Sequence, residues 1–159
     1  LDERTEIGPL ISDAAAARIG AWLEEAKAGG AAVLTGGMRD GRMFQPTVLT
    51  GVSPAMKVIC EEVFGPVVSL IPYDEFDEAL ALVNNSPFGL QTGVFTRDLN
   101  RALQAVQKLD VGGVIINDSP TFRVDQLPYG GNKLSGVGRE GPRFAVEDMT
   151  TLKMVVIST

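Results

Sequence analysis

Apolar residues recur at helical spacing in three stretches of the chain, each with polar or glycine signals at its ends. Ser12 stands where the first helix would be capped, Gly29 and Gly30 where it would stop, and Asp98 before the third stretch. Side chains at i, i+3, i+4 and i+7 share one face of a helix, so each stretch predicts an amphipathic helix. A short fourth helix is predicted to begin at Pro142. The three stripes are Ile19, Trp22, Leu23 and Ala26; Phe76, Ala79, Leu80 and Val83; and Leu99, Ala102, Leu103 and Val106.

Short runs of β-branched and aliphatic residues predict the strands. An Asp40-Gly41 step between the first two runs favours a tight turn and hence a hairpin. From residue 67 onward, strands and helices alternate in the order βαβαβ, which predicts parallel pairing. We therefore expect an α/β fold in three layers, with a mainly parallel sheet and helices on both faces. The predicted strands are 31–35, 44–49, 67–71, 92–96, 113–117 and 152–157.

A long stretch without apolar periodicity, Asp118–Gly141, follows the last strand of this alternation. Ligands of open parallel sheets bind beyond the carboxyl ends of the strands, which is where this stretch begins. Loops of such length are uncommon unless they are functional or disordered. The aromatic residues of the stretch and its Pro-Tyr-Gly-Gly step at 128–131 favour an ordered, functional loop.

The composition narrows the chemistry that the chain can perform. The sequence has 159 residues, no histidine, one cysteine and a net charge of −6, which indicates one soluble domain over residues 1–159. Without histidine, a Ser-His-Asp triad, a Cys-His pair and a histidine-ligated zinc site are excluded, and we expect no metal site. A calculated pI near 4.6 speaks against nucleic-acid binding. The lone thiol and the lack of an apolar run of about 18 residues predict a cytoplasmic protein that does not enter a membrane.

Two features of the sequence have a more ordinary interpretation than a catalytic one. Gly136–Gly141 has the spacing G-x-G-x-x-G, but a dinucleotide-binding loop needs a strand directly before it, and residues 133–135 do not form one. We therefore expect these glycines to bend the backbone. Cys60 is the one thiol, and its apolar neighbours and the acidic pair after it disfavour a catalytic thiolate. We expect it to be structural.

The acidic pair Glu61-Glu62 is followed closely by an aromatic residue, Phe64. Adjacent carboxylates on a turn are ordinarily just solvated. A carboxylate can, however, accept hydrogen bonds from both hydroxyls of a ribose, and an aromatic side chain nearby can lie against a flat ring.

Three segments of the chain resemble motifs of the aldehyde dehydrogenase superfamily and occur in the family's order. The resemblance extends over essentially the whole chain and corresponds to the C-terminal portion of a family member. The segments are 61–66, similar to E-E-x-F-G-P; 84–90, similar to N-x-x-x-(Y/F)-G-L; and 128–141, similar to P-(F/Y)-G-G-x-K-x-S-G-x-G-R-E-G.

The resemblance implies part of an NAD(P)-dependent enzyme that oxidises an aldehyde to a carboxylic acid through a thioester. The family's nucleophilic cysteine, general-base glutamate and dinucleotide fold lie before the corresponding segment, so we expect no catalytic residue here and an inactive fragment. By the same resemblance, Glu62 would hold the nicotinamide-side ribose of NAD or NADP, and Phe64 would pack near the nicotinamide. The alternative is a stand-alone, non-catalytic binding or assembly module of the same fold.

The resemblance also implies where an aldehyde would enter. Phe122 and Tyr129 fall where family members place aromatic residues of the substrate tunnel. The run 116–125 is most similar to the branch acting on lactaldehyde, phosphonoacetaldehyde or, without phosphorylation, glyceraldehyde 3-phosphate. A guanidinium at Arg123 is suited to bind phosphate or carboxylate, with an ion pair to Asp125 as the alternative. The strand 152–157 pairs across subunits in the family, so we expect a homo-oligomer.

Overall fold

The structure, a computed structural model, describes residues 2–159 and divides into two compact units. The first unit ends at Pro72, and the second is Tyr73–Thr159. Within the described residues, no helix has the length and apolar character needed to cross a membrane. The first unit contains α1 (Asp13–Ala28), β1 (Ala32–Thr35), β2 (Arg39–Asp40), β3 (Met43–Phe44), β4 (Thr47–Thr50), α2 (Lys57–Cys60) and β5 (Val67–Ser69). The second contains α3 (Phe76–Asn84), β6 (Phe88–Gly89), β7 (Gln91–Val94), α4 (Leu99–Lys108), β8 (Gly113–Ile116), β9 (Asn132–Lys133) and α5 (Pro142–Met149).

Helix α1 forms as its pattern predicts. The Ser12 hydroxyl accepts a hydrogen bond from the backbone N–H of Ala15 at 3.1 Å, which caps the helix. After Gly29, Gly30 has a φ of +102°, a conformation that favours glycine and ends the helix. The buried residues of α1, together with Phe44 and Leu49, form the core of the first unit.

The sheet of the first unit has β4 in its centre. Strand β1 pairs with β4 in antiparallel fashion, and β5 pairs with it in parallel. The predicted hairpin is therefore confirmed. A second, smaller hairpin of β2 and β3 lies at its end, and Gly41 of its turn has a φ of +56°.

The second unit contains one parallel pair and one short antiparallel pair. Strands β7 and β8 are parallel, with Gln91 opposite Gly113, and α4 connects them. Strands β6 and β9 pair with Gly89 opposite Asn132, which joins the segments 84–90 and 128–141. Asp98 caps α4 as predicted, and its carboxylate accepts from the N–H of Asn100 at 2.8 Å. The α/β class is confirmed.

The strand pairing differs from the single βαβαβ sheet that the sequence predicts. Strand β5 pairs with β4 in the first unit, whereas β7 and β8 pair with each other in the second. The connection between β4 and β5 contains only the four-residue helix α2, which is too short to leave a periodic signal in the sequence. Within the run 67–71, Val67 packs against the core, whereas Val68 is 54% exposed.

The packing of α4 differs from what its apolar stripe indicates. In α4, Ala105 and the adjacent Leu109 are buried, while Leu99, Leu103 and Val106 of the predicted stripe are exposed. Apolar periodicity identifies the apolar face of a helix, but the neighbouring elements decide which face is covered. Residues 152–157 pair with no strand of the described chain, and their pairing across subunits stays a prediction.

Candidate functional site

Glu62 and Phe64 lie on one turn, the segment 61–66 between α2 and β5, and both side chains are exposed. Phe64 has a φ of +48°, and the residue is 77% exposed. A bulky residue in this left-handed region costs about 1–3 kcal/mol, and an apolar ring in water gains no burial in return. The turn therefore presents an acidic and an aromatic side chain to solvent from a strained backbone, which is typical of a binding site.

The backbone of this turn is fixed from two sides. A Cβ atom at Gly65 would collide with the Cδ1 atom of Ile19 in α1, so the turn lies directly on that helix. On the other side, the backbone N–H of Thr47 donates to the carbonyl of Pro66 at 2.8 Å. The residues next to Glu62 and Phe64 are thus anchored to the core while these two side chains are not.

Arg18 of α1 provides a third anchor that sequence reasoning missed. Its Nη2 donates to the carbonyl of Val63 at 2.8 Å, and its Nη1 donates to the carbonyl of Glu62 at 3.4 Å. The guanidinium carbon also lies 4.4 Å from the ring centroid of Trp22. Arg18 lies 44 and 45 positions before Glu62 and Val63 in the chain, so no local sequence pattern predicts these contacts.

Cys60 is placed as a structural residue would be. Its thiol lies at the end of α2 and donates to the carbonyl of Ala55 at 3.7 Å. The nearest cation in sequence, Lys57, is directed to Glu25, with Nζ and Oε2 separated by 2.7 Å. That hydrogen bond and the charge of Glu25 raise the pKa of Lys57 above its ordinary value. The ammonium is therefore held by a carboxylate of α1.

Arg123 and Tyr129, two of the predicted substrate residues, are brought together by Glu140. The Nη2 of Arg123 lies 2.9 Å from the Oε2 of Glu140, and its guanidinium carbon lies 4.4 Å from the ring centroid of Tyr129. Tyr129 and Glu140 also exchange two backbone hydrogen bonds. One guanidinium thus contacts a carboxylate and an aromatic ring that the backbone already holds side by side.

Arg123 does form the expected ion pair with Asp125, but its closer partner is Glu140. Its distance to Asp125, between Nε and Oδ1, is 4.0 Å, longer than its hydrogen bond to Glu140. Glu140 lies 17 positions along the chain, and only the bridge to Tyr129 brings it close. The Arg123 side chain remains 45% exposed, so it is accessible to a ligand.

The loop that contains Phe122 is attached to the parallel strand pair. The side-chain amide of Gln91 in β7 donates to the carbonyls of Pro120 and Phe122. Phe122 is itself 43% exposed. The loop is therefore ordered at the carboxyl end of β8, as the sequence predicts, with one aromatic ring directed partly to solvent.

The segments 84–90 and 128–141 form one polar network whose function is structural. The Nζ of Lys133 donates to the carbonyls of Asn84 and Ser86 at 2.8 and 3.1 Å. The hydroxyl of Ser135 accepts from the N–H of Gly89 at 2.9 Å. Arg139 donates to the carbonyl of Gly131 at 3.1 Å. These side chains hold the loop and strand ends together.

The G-x-G-x-x-G segment bends the backbone, as expected. Its three glycines, Gly136, Gly138 and Gly141, all have positive φ values, and the segment leads into α5. A cleft of about 400 Å³ lies against it in the second unit, with Tyr129, Arg139 and Glu140 in its lining. A volume of this order suits a small organic ligand. Among the described residues, no group of three or more histidine, cysteine or acidic side chains is arranged to hold a metal ion.

Comparison with known proteins gives consistent matches. The profile of the aldehyde dehydrogenase family matches residues 1–155. A 3-sulfolactaldehyde dehydrogenase of Priestia aryabhattai is 48% identical over 158 residues, which is 99% of this chain and 33% of the relative.

Two solved structures extend the similarity to three dimensions. The glyceraldehyde-3-phosphate dehydrogenase of Methanocaldococcus jannaschii, in complex with NADP, superposes with a TM-score of 0.92 at 41% identity and covers 100% of this chain and 34% of its own. Aldehyde dehydrogenase 21 of Physcomitrella patens, in complex with the reaction product succinate, has a TM-score of 0.90 at 50% identity over 94% of this chain and 31% of its own. The chain thus spans about a third of the length of its relatives. It belongs to the aldehyde dehydrogenase family.

Proposed function

We propose that these residues are part of an NAD(P)-dependent aldehyde dehydrogenase, which oxidises an aldehyde to a carboxylic acid through an enzyme-bound thioester. The observation that carries the proposal is the turn 61–66, which presents Glu62 and Phe64 to solvent from an anchored backbone. In this proposal, the nucleophilic cysteine, the general base and the dinucleotide fold come from other residues, and Cys60 takes no part in the chemistry.

The residue types on the turn fit the cofactor. The two oxygens of the Glu62 carboxylate would accept hydrogen bonds from the two hydroxyls of the nicotinamide-side ribose. The exposed ring of Phe64 would pack near the nicotinamide. When bound, NAD or NADP supplies the hydride acceptor for the oxidation.

The substrate class that we propose is an aldehyde with an anionic end, which Phe122, Arg123 and Tyr129 would contact. The guanidinium is half exposed, and exposed ion pairs such as that with Glu140 contribute only about 0–1 kcal/mol. A sulfonate, phosphonate or phosphate can therefore replace the Glu140 carboxylate at small cost. Two relatives whose names specify sulfolactaldehyde and glyceraldehyde 3-phosphate support this class.

The test begins with the 159-residue chain itself. We expect the pure, folded chain to reduce neither NAD⁺ nor NADP⁺ with any aldehyde and to bind either cofactor weakly, because one ribose contact does not offset the cost of association. The measurements are nicotinamide absorbance and titration calorimetry. Dehydrogenase activity of the chain alone that is lost on thiol alkylation would contradict this and make Cys60 a candidate nucleophile.

The second part of the test uses the intact enzyme that contains these residues. It should reduce NAD⁺ or NADP⁺ with 3-sulfolactaldehyde, lactaldehyde or glyceraldehyde 3-phosphate, and Glu62→Gln should raise the KM for the cofactor. Glu61→Gln is the matched control, since it removes an adjacent exposed carboxylate. A folded protein without turnover on any aldehyde would favour the non-catalytic binding or assembly module instead.

A further inference from the structure

The guanidinium of Arg18 ties the turn that presents Glu62 and Phe64 to α1 through hydrogen bonds to its backbone. The guanidinium bridges two successive carbonyl groups, of Glu62 and Val63, through different nitrogens. Its guanidinium carbon lies over the indole of Trp22, one helical turn along α1 and 4.4 Å from the ring centroid. This cation–π contact and the two hydrogen bonds together restrict the position of the guanidinium.

The Arg18 contacts complete the anchoring of the turn at its N-terminal side. Gly65 and Pro66 are already fixed by Ile19 and Thr47. At residues 62 and 63, the side chain of Val63 packs against the core, and the two Arg18 hydrogen bonds hold the backbone carbonyls. Because Phe64 lies between the two anchored halves in a left-handed conformation, its geometry depends on both of them.

We propose that Arg18, stacked on Trp22, is a positioning residue for cofactor binding. It touches neither reacting group and acts through the backbone, where it sets the position of the Glu62 carboxylate and the Phe64 ring. This inference rests on the proposed cofactor contacts of Glu62 and Phe64. If only a fraction of the molecules has the turn in the binding conformation, the apparent affinity for the cofactor falls by that fraction.

The first experiment tests, without any cofactor, whether Arg18 orders the turn. In the isotope-labelled 159-residue chain, Arg18→Met should lower the NMR order parameters of residues 62–64 and leave those of α1 and β4 unchanged. Arg39→Met is the matched control, because Arg39 is an exposed arginine of the same unit that lies outside the turn. Unchanged order at 62–64 in Arg18→Met would overturn the inference.

The second experiment tests the consequence in the intact enzyme. Arg18→Met should raise the KM for NAD(P)⁺ about tenfold, the loss expected for a charge-assisted hydrogen bond, with the aldehyde KM and the melting temperature unchanged. Arg18→Lys should recover part of the loss, since an ammonium reaches one carbonyl. In the double variant with Glu62→Gln, the effects should be less than additive, because both act on the same contact.

The outcomes separate this inference from the proposed function. If Glu62→Gln raises the cofactor KM and Arg18→Met does not, Arg18 has no positioning role. A lower melting temperature with additive effects on the cofactor KM would mean that Arg18 only stabilises the fold. If neither variant changes the cofactor KM, the assignment of the turn to the cofactor is wrong, and the NMR result alone still decides whether Arg18 orders the turn.

Discussion

Arg18 and Arg123 use the same stacking geometry on different partners. Each guanidinium carbon lies 4.4 Å from the centroid of an aromatic ring, that of Trp22 or Tyr129. Arg18 then donates to backbone carbonyls, which cannot leave, whereas Arg123 pairs with the Glu140 carboxylate, which can rotate away. The first arrangement suits a fixed support and the second an exchangeable contact with a ligand.

Replacing Arg123 by Leu tests the exchangeable contact. The change keeps much of the stem and removes the guanidinium, so kcat/KM for a phosphorylated or phosphonate aldehyde should fall by more than about tenfold, or 1.4 kcal/mol. A neutral aliphatic aldehyde should be little affected. Steady-state kinetics of the intact enzyme on both substrates is the measurement.

The control for Arg123 is another ion pair of the same unit. Arg143 lies 2.8 Å from Glu147 on α5, and the charge and hydrogen bond of Glu147 raise the pKa of Arg143. Arg143→Leu should leave kcat/KM unchanged for both aldehydes. Equal losses on both substrates in Arg123→Leu would mean that Arg123 only holds the loop through Glu140.

Glu62 and Phe64 could be proposed as site residues from the sequence because they lie within one short motif. Arg18 and Glu140 could not, because each meets its partner through the tertiary fold. Arg123 was also proposed from the sequence, but its closest ion-pair partner, Glu140, was missed for the same reason. Local sequence thus indicates candidate site residues better than it indicates the residues that contact them.

At the scale of elements, helix boundaries were predicted well and helix contacts less so. Capping residues are local, and Ser12 and Asp98 both accept the expected backbone hydrogen bonds. Helix α4 packs against α3 and β8 in the second unit, and these neighbours decide which of its faces is buried. The spacing of apolar residues in α4 does not predict that face. The parallel pairing of β5 with β4 was not predicted, because the connecting helix α2 has only four residues and shows no apolar periodicity.

The cap of α4 can be tested by Asp98→Ala. The carboxylate accepts from the N–H groups of Asn100 and Arg101 at 2.8 and 3.4 Å. Its loss should lower the free energy of unfolding by about 0.5–2 kcal/mol, measured by denaturant titration. Asp98→Ser retains a hydrogen-bond acceptor, so its free energy of unfolding should fall much less. Equal destabilisation by both variants would show that the cap contributes little.

At the scale of the whole molecule, each unit has its own core, and the second core is small. Its buried apolar residues are Leu80, Ala105 and Leu109, whereas Leu99, Leu103 and Val106 of the apolar stripe of α4 are exposed. The segment 152–157 is also exposed, from 71% at Val155 to 101% at Leu152. Soluble proteins rarely leave several large apolar side chains together in water, so these surfaces indicate association.

We therefore expect the chain to form a dimer or higher oligomer through the segment 152–157, which offers unpaired backbone groups and apolar side chains for strand pairing. Val155→Asp with Ile157→Asp should shift the sedimentation mass to that of a monomer, because alternate residues of a strand share a face and two charges would have to be buried there. Val146→Asp is the control, an exposed valine of α5 whose replacement should leave the mass unchanged. A clean monomer at micromolar concentration in the unaltered chain would contradict the prediction, and an unchanged oligomer in the double variant would place the interface on another surface, of which the exposed face of α4 is the next to test.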